Sequence, residues 1–257
     1  MKAPKRFPTT ADWAAAAQLL RRPFPVTAPM VALVSLVPVY VFIPELVRGR
    51  ALHAPALVLD RLLPLRPGWA LVYGSLYLFL ILLPVLVVTG AEHTRRTVRA
   101  YLLVWLAAYA CFFACPTVSP RPAQVPGDGF GAWGLRLLYA ADPPLNCFPS
   151  LHVAHSFVSA LTCLHVHRGL GLAALLCAGL VGASTLFTKQ HYVVDVVAGA
   201  LLAGSAFVVF LRRLPRDEVP EADSRAAPLL ALGILGLSSV VLAAFWVFYR
   251  SSSTGGT

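Results

Sequence analysis

Apolar residues run along this chain in blocks of roughly twenty, the length a helix needs to cross about 30 Å of hydrocarbon. The blocks fall near Thr27–Glu45, Trp69–Thr89, Val98–Cys115, His152–His167, Leu170–Phe187, Tyr192–Leu211 and Pro228–Tyr249. They lack the alternating ten-residue pattern of a transmembrane barrel. The pattern predicts an all-α integral membrane protein with six or seven transmembrane helices. The count turns on the fourth and fifth blocks, which are separated only by the short turn "HVHRG", His165 to Gly169.

The polar stretches divide the chain. Residues 1–26 read as a cytoplasmic N-terminal segment, in which at most Ala11–Leu20 lies as an interfacial helix; its prolines and charges do not suit a signal peptide. Residues 27–211 form the membrane-embedded domain and residues 212–227 a charged, proline-containing linker. An additional transmembrane helix over residues 228–249 and a disordered tail over 250–257 complete the chain.

Composition agrees with this class. Hydrophobic residues make up 58% of the chain, charged residues 12%, and mean hydropathy is +0.73, whereas a soluble domain carries about 25% charged residues. The net charge of +10 does not point to a nucleic-acid partner, because Lys and Arg fall in loops between blocks instead of along one basic stripe. With alternating spans, 13 of the 21 Lys and Arg share the face that holds the N-terminus and the 212–227 linker. The positive-inside rule makes that face cytoplasmic, against the weight of Arg48, Arg50, Arg61 and Arg66 in the first external loop. The localisation expected is a bacterial inner membrane or an equivalent bilayer.

Two stretches put ionisable residues at block ends, where hydrocarbon makes them costly and where they mark function by default. "NCFPSLHVAHSFVSAL" (Asn146 to Leu161) carries His152, and "STLFTKQHYVVDVVAG" (Ser184 to Gly199) carries His191 and Asp195. The third block ends into "CPTVSPRP", the fourth begins at His152, the fifth ends into "STLFTKQ" and the sixth begins at His191. All four ends therefore meet on the external, non-cytoplasmic face. His191 and Asp195 are four apart and share a helix face. A carboxylate there can hold the imidazole Nδ1–H and leave the other nitrogen free as nucleophile or base.

"PSLH" (Pro149–His152), followed by "ST" and "HYVVD" with Ser184, Thr185, His191 and Asp195, resembles the second and third signatures of the type 2 phosphatidic acid phosphatase superfamily, PSGH and SR-x5-H-x3-D. The similarity spans Pro116 to Gly204 and is closest to the inositol phosphorylceramide synthase-like branch, which also reads PSLH. The first signature, K-x6-R-P, survives only as Arg121 and Pro122, with Ala114 at the lysine position; Thr185 replaces an arginine and Leu151 a glycine. Two phosphate-binding cations are thus absent. This favours a phosphodiester donor and phosphotransferase chemistry over a simple monoester phosphatase.

The resemblance implies a lipid substrate in the membrane and a reaction on a phospholipid headgroup through a phosphohistidine. His191 is the nucleophile, Asp195 its orienting carboxylate, and His152 the acid for the leaving oxygen and then the base for the acceptor. Arg121 is the expected phosphate clamp, with Ser150 and Lys189 as further donors at a helix start. The scheme requires no metal and no other cofactor.

Other readings stand beside it. A plain lipid phosphate phosphatase, of phosphatidic acid or isoprenyl-phosphate type, would use the same residues, and a non-catalytic lipid-binding or transport protein would explain Ala114 and Thr185. Vanadate-dependent haloperoxidases share the site pattern but are soluble proteins. His152, His155 and His191 could together hold a metal, although His155 alone reads as a packed helix residue. Asp128 and Asp142 read as turn residues. Cys115 and Cys147 could pair as a disulfide in an oxidising compartment, and the long stretch Pro116 to Asn146 as a lid over the site.

Overall fold

The structure is a computed structural model that describes residues 13–19, 28–31, 33, 35 and 37–254. Among the described residues, helices α1 (Trp13–Leu19) and α2 (Val37–Leu46) are followed by a short α3 (Val58–Leu62), and residues 28–31 are helical as well. Two long helices come next, α4 (Trp69–Val87) and α5 (Ala91–Ala114), then α6 (Phe130–Ala141). The remainder comprises α7 (Leu151–Val166), α8 (Arg168–Phe187), α9 (Val193–Ala206), which runs on as a π-helical turn over Phe207–Leu211, and α10 (Glu221–Thr254). Among the described residues there is no strand beyond one isolated bridge, His53 to Thr117. The all-α membrane class is therefore observed.

Among the described residues, five helical stretches are long and apolar enough to cross a membrane: Trp69–Val87, Ala91–Ala114, Arg168–Phe187, Val193–Leu211 and Asp223–Ser251. Leu151–Val166 is apolar but shorter. The first expected span overlaps α2, but parts of it, including residues 27, 32, 34 and 36, lie outside the described residues, as do residues 1–12 and 255–257.

Helix α7 is central. It packs on α4, α5, α8 and α9, and the residues it turns inward are small: Ala154, Ser156, Ser159, Ala160 and Cys163 are all buried. Small side chains let helix backbones approach where lipid offers no hydrophobic drive to association. Two glycines show how close that approach is. A Cβ on Gly171 of α8 would sit 2.6 Å from the Leu164 backbone, and one on Gly199 of α9 would sit 2.5 Å from the Ser150 carbonyl oxygen. On one side of α7 the core joins Leu80 and Leu83 of α4 to Ala178 and Val181 of α8 and Ile234 of α10. On the other, Ala100, Tyr101 and Val104 of α5 meet Ala154, Val158 and Ala203.

Several boundaries differ from those read in the sequence. Helix α5 begins at Ala91, seven residues before the apolar block, and its first turns are held by Glu92 paired with Arg95 (3.0 Å) and Arg96 (2.7 Å). Helix α10 begins at Glu221 with Pro228 inside it, so half of the expected 212–227 linker is helical, and it continues through Ser251–Thr254. The stretch expected as an irregular lid contains α6. Cys115 and Cys147 are free thiols, Cys147 being buried with its sulfur 3.7 Å from the Pro144 carbonyl.

Candidate active site

The starts of α4, α7 and α9 and the ends of α5 and α8 lie together at one end of the bundle, with α6 across them. Local chemistry fixes each piece. Ser150 is the N-cap of α7, its hydroxyl accepting from the Val153 N–H at 3.3 Å, and its own N–H donates to the Asp195 carbonyl at 3.0 Å. This second bond ties the first turn of α7 to the first turn of α9. Thr117 steadies the approach to it by accepting from the N–H groups of Cys147 (3.1 Å) and Phe148 (3.0 Å).

The end of α8 turns sharply into the His191 segment. Thr188 is the C-cap; the Lys189 N–H donates to the Leu186 carbonyl (3.1 Å) and the Gln190 N–H to that of Thr185 (2.9 Å). This is a Schellman closure. Lys189 occupies its left-handed position with φ 55°, which costs a non-glycine residue about 1–2 kcal/mol. Its side chain is held far from the expected role: Nζ donates to the carbonyls of Asp60 (2.8 Å) and Leu63 (2.6 Å). Lys189 is thus a brace between α3 and the His191 turn.

His191 and Asp195 then meet as their spacing predicts. Asp195 Oδ2 accepts from the Tyr192 N–H at 2.9 Å, capping α9, and faces His191 Nδ1 at 3.5 Å. His191 Nε2 is 3.0 Å from His152 Nδ1. His191 is 4% exposed and Asp195 fully buried. The rings of Tyr73 and Tyr77, stacked on each other at 5.3 Å, set their edges against His152 at 5.4 and 5.1 Å and fix its plane. His155 does not join His152 and His191 as a metal set. Its ring packs against Tyr101 at 4.4 Å.

Arg121 is anchored by Tyr139 and Asp142. Its guanidinium lies over the Tyr139 ring at 4.6 Å and donates to the Asp142 carbonyl (2.5 Å) and to Asp142 Oδ2 (3.3 Å), while Nε is buried with no partner. Asp142 also accepts from the Tyr40 hydroxyl at 2.8 Å. It is therefore no simple turn residue. Thr185, at the lost arginine position, is fully buried and gives its hydroxyl proton to the Gly182 carbonyl at 2.8 Å.

A family model for the PAP2 superfamily matches residues 56–209, more than half of the chain. The chain belongs to the PAP2 superfamily. A PA-phosphatase related-family protein of Dictyostelium discoideum is 28% identical over 118 residues; the aligned part covers 40% of this chain and spans only 21% of the length of that relative. No solved structure matches.

The PAP2 match begins just ahead of α3, and α3 supplies a residue the sequence reading missed. Asp60 is buried; Oδ1 accepts from the Val193 N–H (2.8 Å) at the start of α9, and Oδ2 from the Leu57 N–H (2.7 Å). It anchors the helix that carries Asp195. The available signal was a lone carboxylate between the apolar pairs Val58–Leu59 and Leu62–Leu63. For Asp142 and Tyr139, which hold Arg121, there was no such signal, since their partner lies 21 and 18 residues earlier.

Proposed function

We propose that this protein is a membrane-embedded lipid phosphotransferase or phosphatase working on a phospholipid headgroup, with the balance toward transfer. The observation that carries this reading is the 3.0 Å approach of His152 Nδ1 to His191 Nε2, with Asp195 behind the other nitrogen of His191. A substrate phosphate parts the two rings. His191 Nε2 attacks phosphorus, the P–O bond to the departing alcohol breaks, and His152 gives that oxygen a proton. An acceptor hydroxyl then loses its proton to His152 as its oxygen attacks phosphorus; the N–P bond breaks and His191 is regenerated. Arg121, already oriented by Asp142 and Tyr139, balances the charge on the equatorial oxygens.

The preference for transfer rests on charge. Of the cations expected at the phosphate, Lys189 is committed to two carbonyls and Arg121 is itself paired with Asp142. One partly neutralised guanidinium suits a singly charged diester better than a doubly charged monoester. The buried, nearly water-inaccessible His191 also favours an acceptor that displaces water. The external face of the membrane is the side we assign to the site, from the distribution of Lys and Arg.

The test is competition between acceptors. Purified protein given a labelled diester phospholipid and an alcohol such as inositol, a ceramide or a diacylglycerol should form the new diester faster than it releases free phosphate or headgroup phosphate. Rapid dephosphorylation of phosphatidic acid with no transfer to any acceptor would leave the plain lipid phosphatase as the correct reading.

A further inference from the structure

A cavity of about 250 Å³ opens from His152 into the bundle, between α4 and α5 and alongside α2 and α7. Along α4 its wall runs from Tyr77 to Val85, about 12 Å at 1.5 Å per residue. The direction is away from the site end. Most of the wall is aromatic or aliphatic, with Trp105 and Tyr109 of α5 forming one side. An occupant of this cavity is continuous with whatever phosphate His152 serves, and its aromatic and aliphatic lining suits hydrocarbon.

The wall is not uniformly apolar. His155, one turn below His152 and so about 4.5 Å further along α7, lines the cavity, and its Nδ1 is buried with no hydrogen-bond partner. Tyr101 lines it too, 2% exposed, with its hydroxyl hydrogen-bonded to Ser159. The two rings lie 4.4 Å apart. Ser159, one turn further along α7, spends its own proton on the Leu80 carbonyl at 2.6 Å. An unpaired imidazole nitrogen beside a tyrosine hydroxyl, among aromatic walls, is costly in this setting and matches a ligand that brings a polar group to that depth.

We infer that the cavity binds one hydrocarbon chain of the phosphate-bearing lipid together with a hydrogen-bonding group, an ester or amide carbonyl or a hydroxyl, placed about one helical turn from phosphorus, and that His155 and Tyr101 select for that group. The inference rests on the reading of His152 and His191 as the reacting pair. Acylglycerol and N-acyl amino-alcohol lipids carry such a group near the phosphate. Polyprenyl and plain alkyl phosphates carry none, and they leave the His155 nitrogen unpaired.

Three 4-nitrophenyl phosphodiesters test this: those of a 1-acylglycerol, of an alkanol of equal chain length, and of a polyprenol, with nitrophenol release as the readout. The wild-type protein should favour the acylglycerol ester in kcat/KM by at least about tenfold, the ratio that unpaired buried polar groups produce. Tyr101→Phe and His155→Phe should each bring the ratio toward one, mainly by raising KM for the acylglycerol ester. Quenching of Trp105 fluorescence by a chain-brominated acylglycerol phosphate, absent in Trp105→Phe, supplies a binding readout that does not depend on the variants turning over. Equal kcat/KM for the three esters in the wild type, a polyprenyl preference, or a ratio that survives in both variants overturns the inference. If release is abolished by His191→Ala while the ratio is one, the reaction assignment stands and only the selectivity falls. If the wild type cleaves none of the esters, both fall together.

Discussion

His152 and His191 differ in what their loss should do, because in the proposed mechanism only one of them bonds to phosphorus. His152→Ala should slow reaction of an ordinary lipid ester by roughly 10²–10⁴-fold, the range of a positioned general acid. A nitrophenyl ester, whose leaving group needs no proton, should recover much of that loss in the first step. Equal damage on both esters would assign His152 a role other than acid. That these two histidines and Asp195 lie together was legible in the sequence because the apolar blocks that carry them end on one face. Lys189 had the same appearance and a different fate. Its partners are the carbonyls of Asp60 and Leu63, more than 120 residues away in sequence, and no local pattern announces a contact between a side chain and a distant backbone.

Among the helices, α7 and α9 hold the site together, and their crossing depends on Gly199. A Cβ there would meet the Ser150 carbonyl at 2.5 Å, Val153 Cβ at 3.3 Å and the Ala154 nitrogen at 3.4 Å, two of the three being backbone atoms that cannot swing aside. Gly199→Ala should therefore push α9 from α7, stretch the Ser150 N–H to Asp195 carbonyl bond, and destabilise the fold by about 1–3 kcal/mol. Activity should fall more steeply than melting temperature. An alanine variant as active and as stable as wild type would show that the crossing tolerates more than the geometry allows. The long helices were legible because hydropathy marks hydrocarbon, but their ends were not. Helix α5 extends into water on paired charges, and hydropathy records where a helix enters the bilayer, not where it begins. Helix α6 was missed for another reason: Gly131 and Gly134 depress its helix propensity, and its formation rests on packing against α4 and α10.

At the scale of the molecule, the bundle has a reaction end and an opposite end, where Asp223 at the start of α10 accepts from the Thr89 N–H at 3.4 Å and from the Thr89 hydroxyl. On the proposed outward-facing orientation of the site, the opposite end lies in the cytoplasm. In a background with the five native cysteines replaced, a membrane-impermeant thiol reagent applied outside intact cells should label Asp128→Cys, an exposed position beside α6, and not Asp217→Cys. The reverse pattern would turn the site to the cytoplasm.

The central claim is that His191 carries the phosphoryl group between donor and acceptor. Its most direct measurement is rapid quenching under alkaline conditions with a donor labelled in phosphorus, followed by peptide mapping. The account predicts an acid-labile, base-stable label on His191 that is absent from His191→Ala and is discharged when an acceptor alcohol is added. A label found on another residue, or turnover of the donor that continues in His191→Ala, would contradict it.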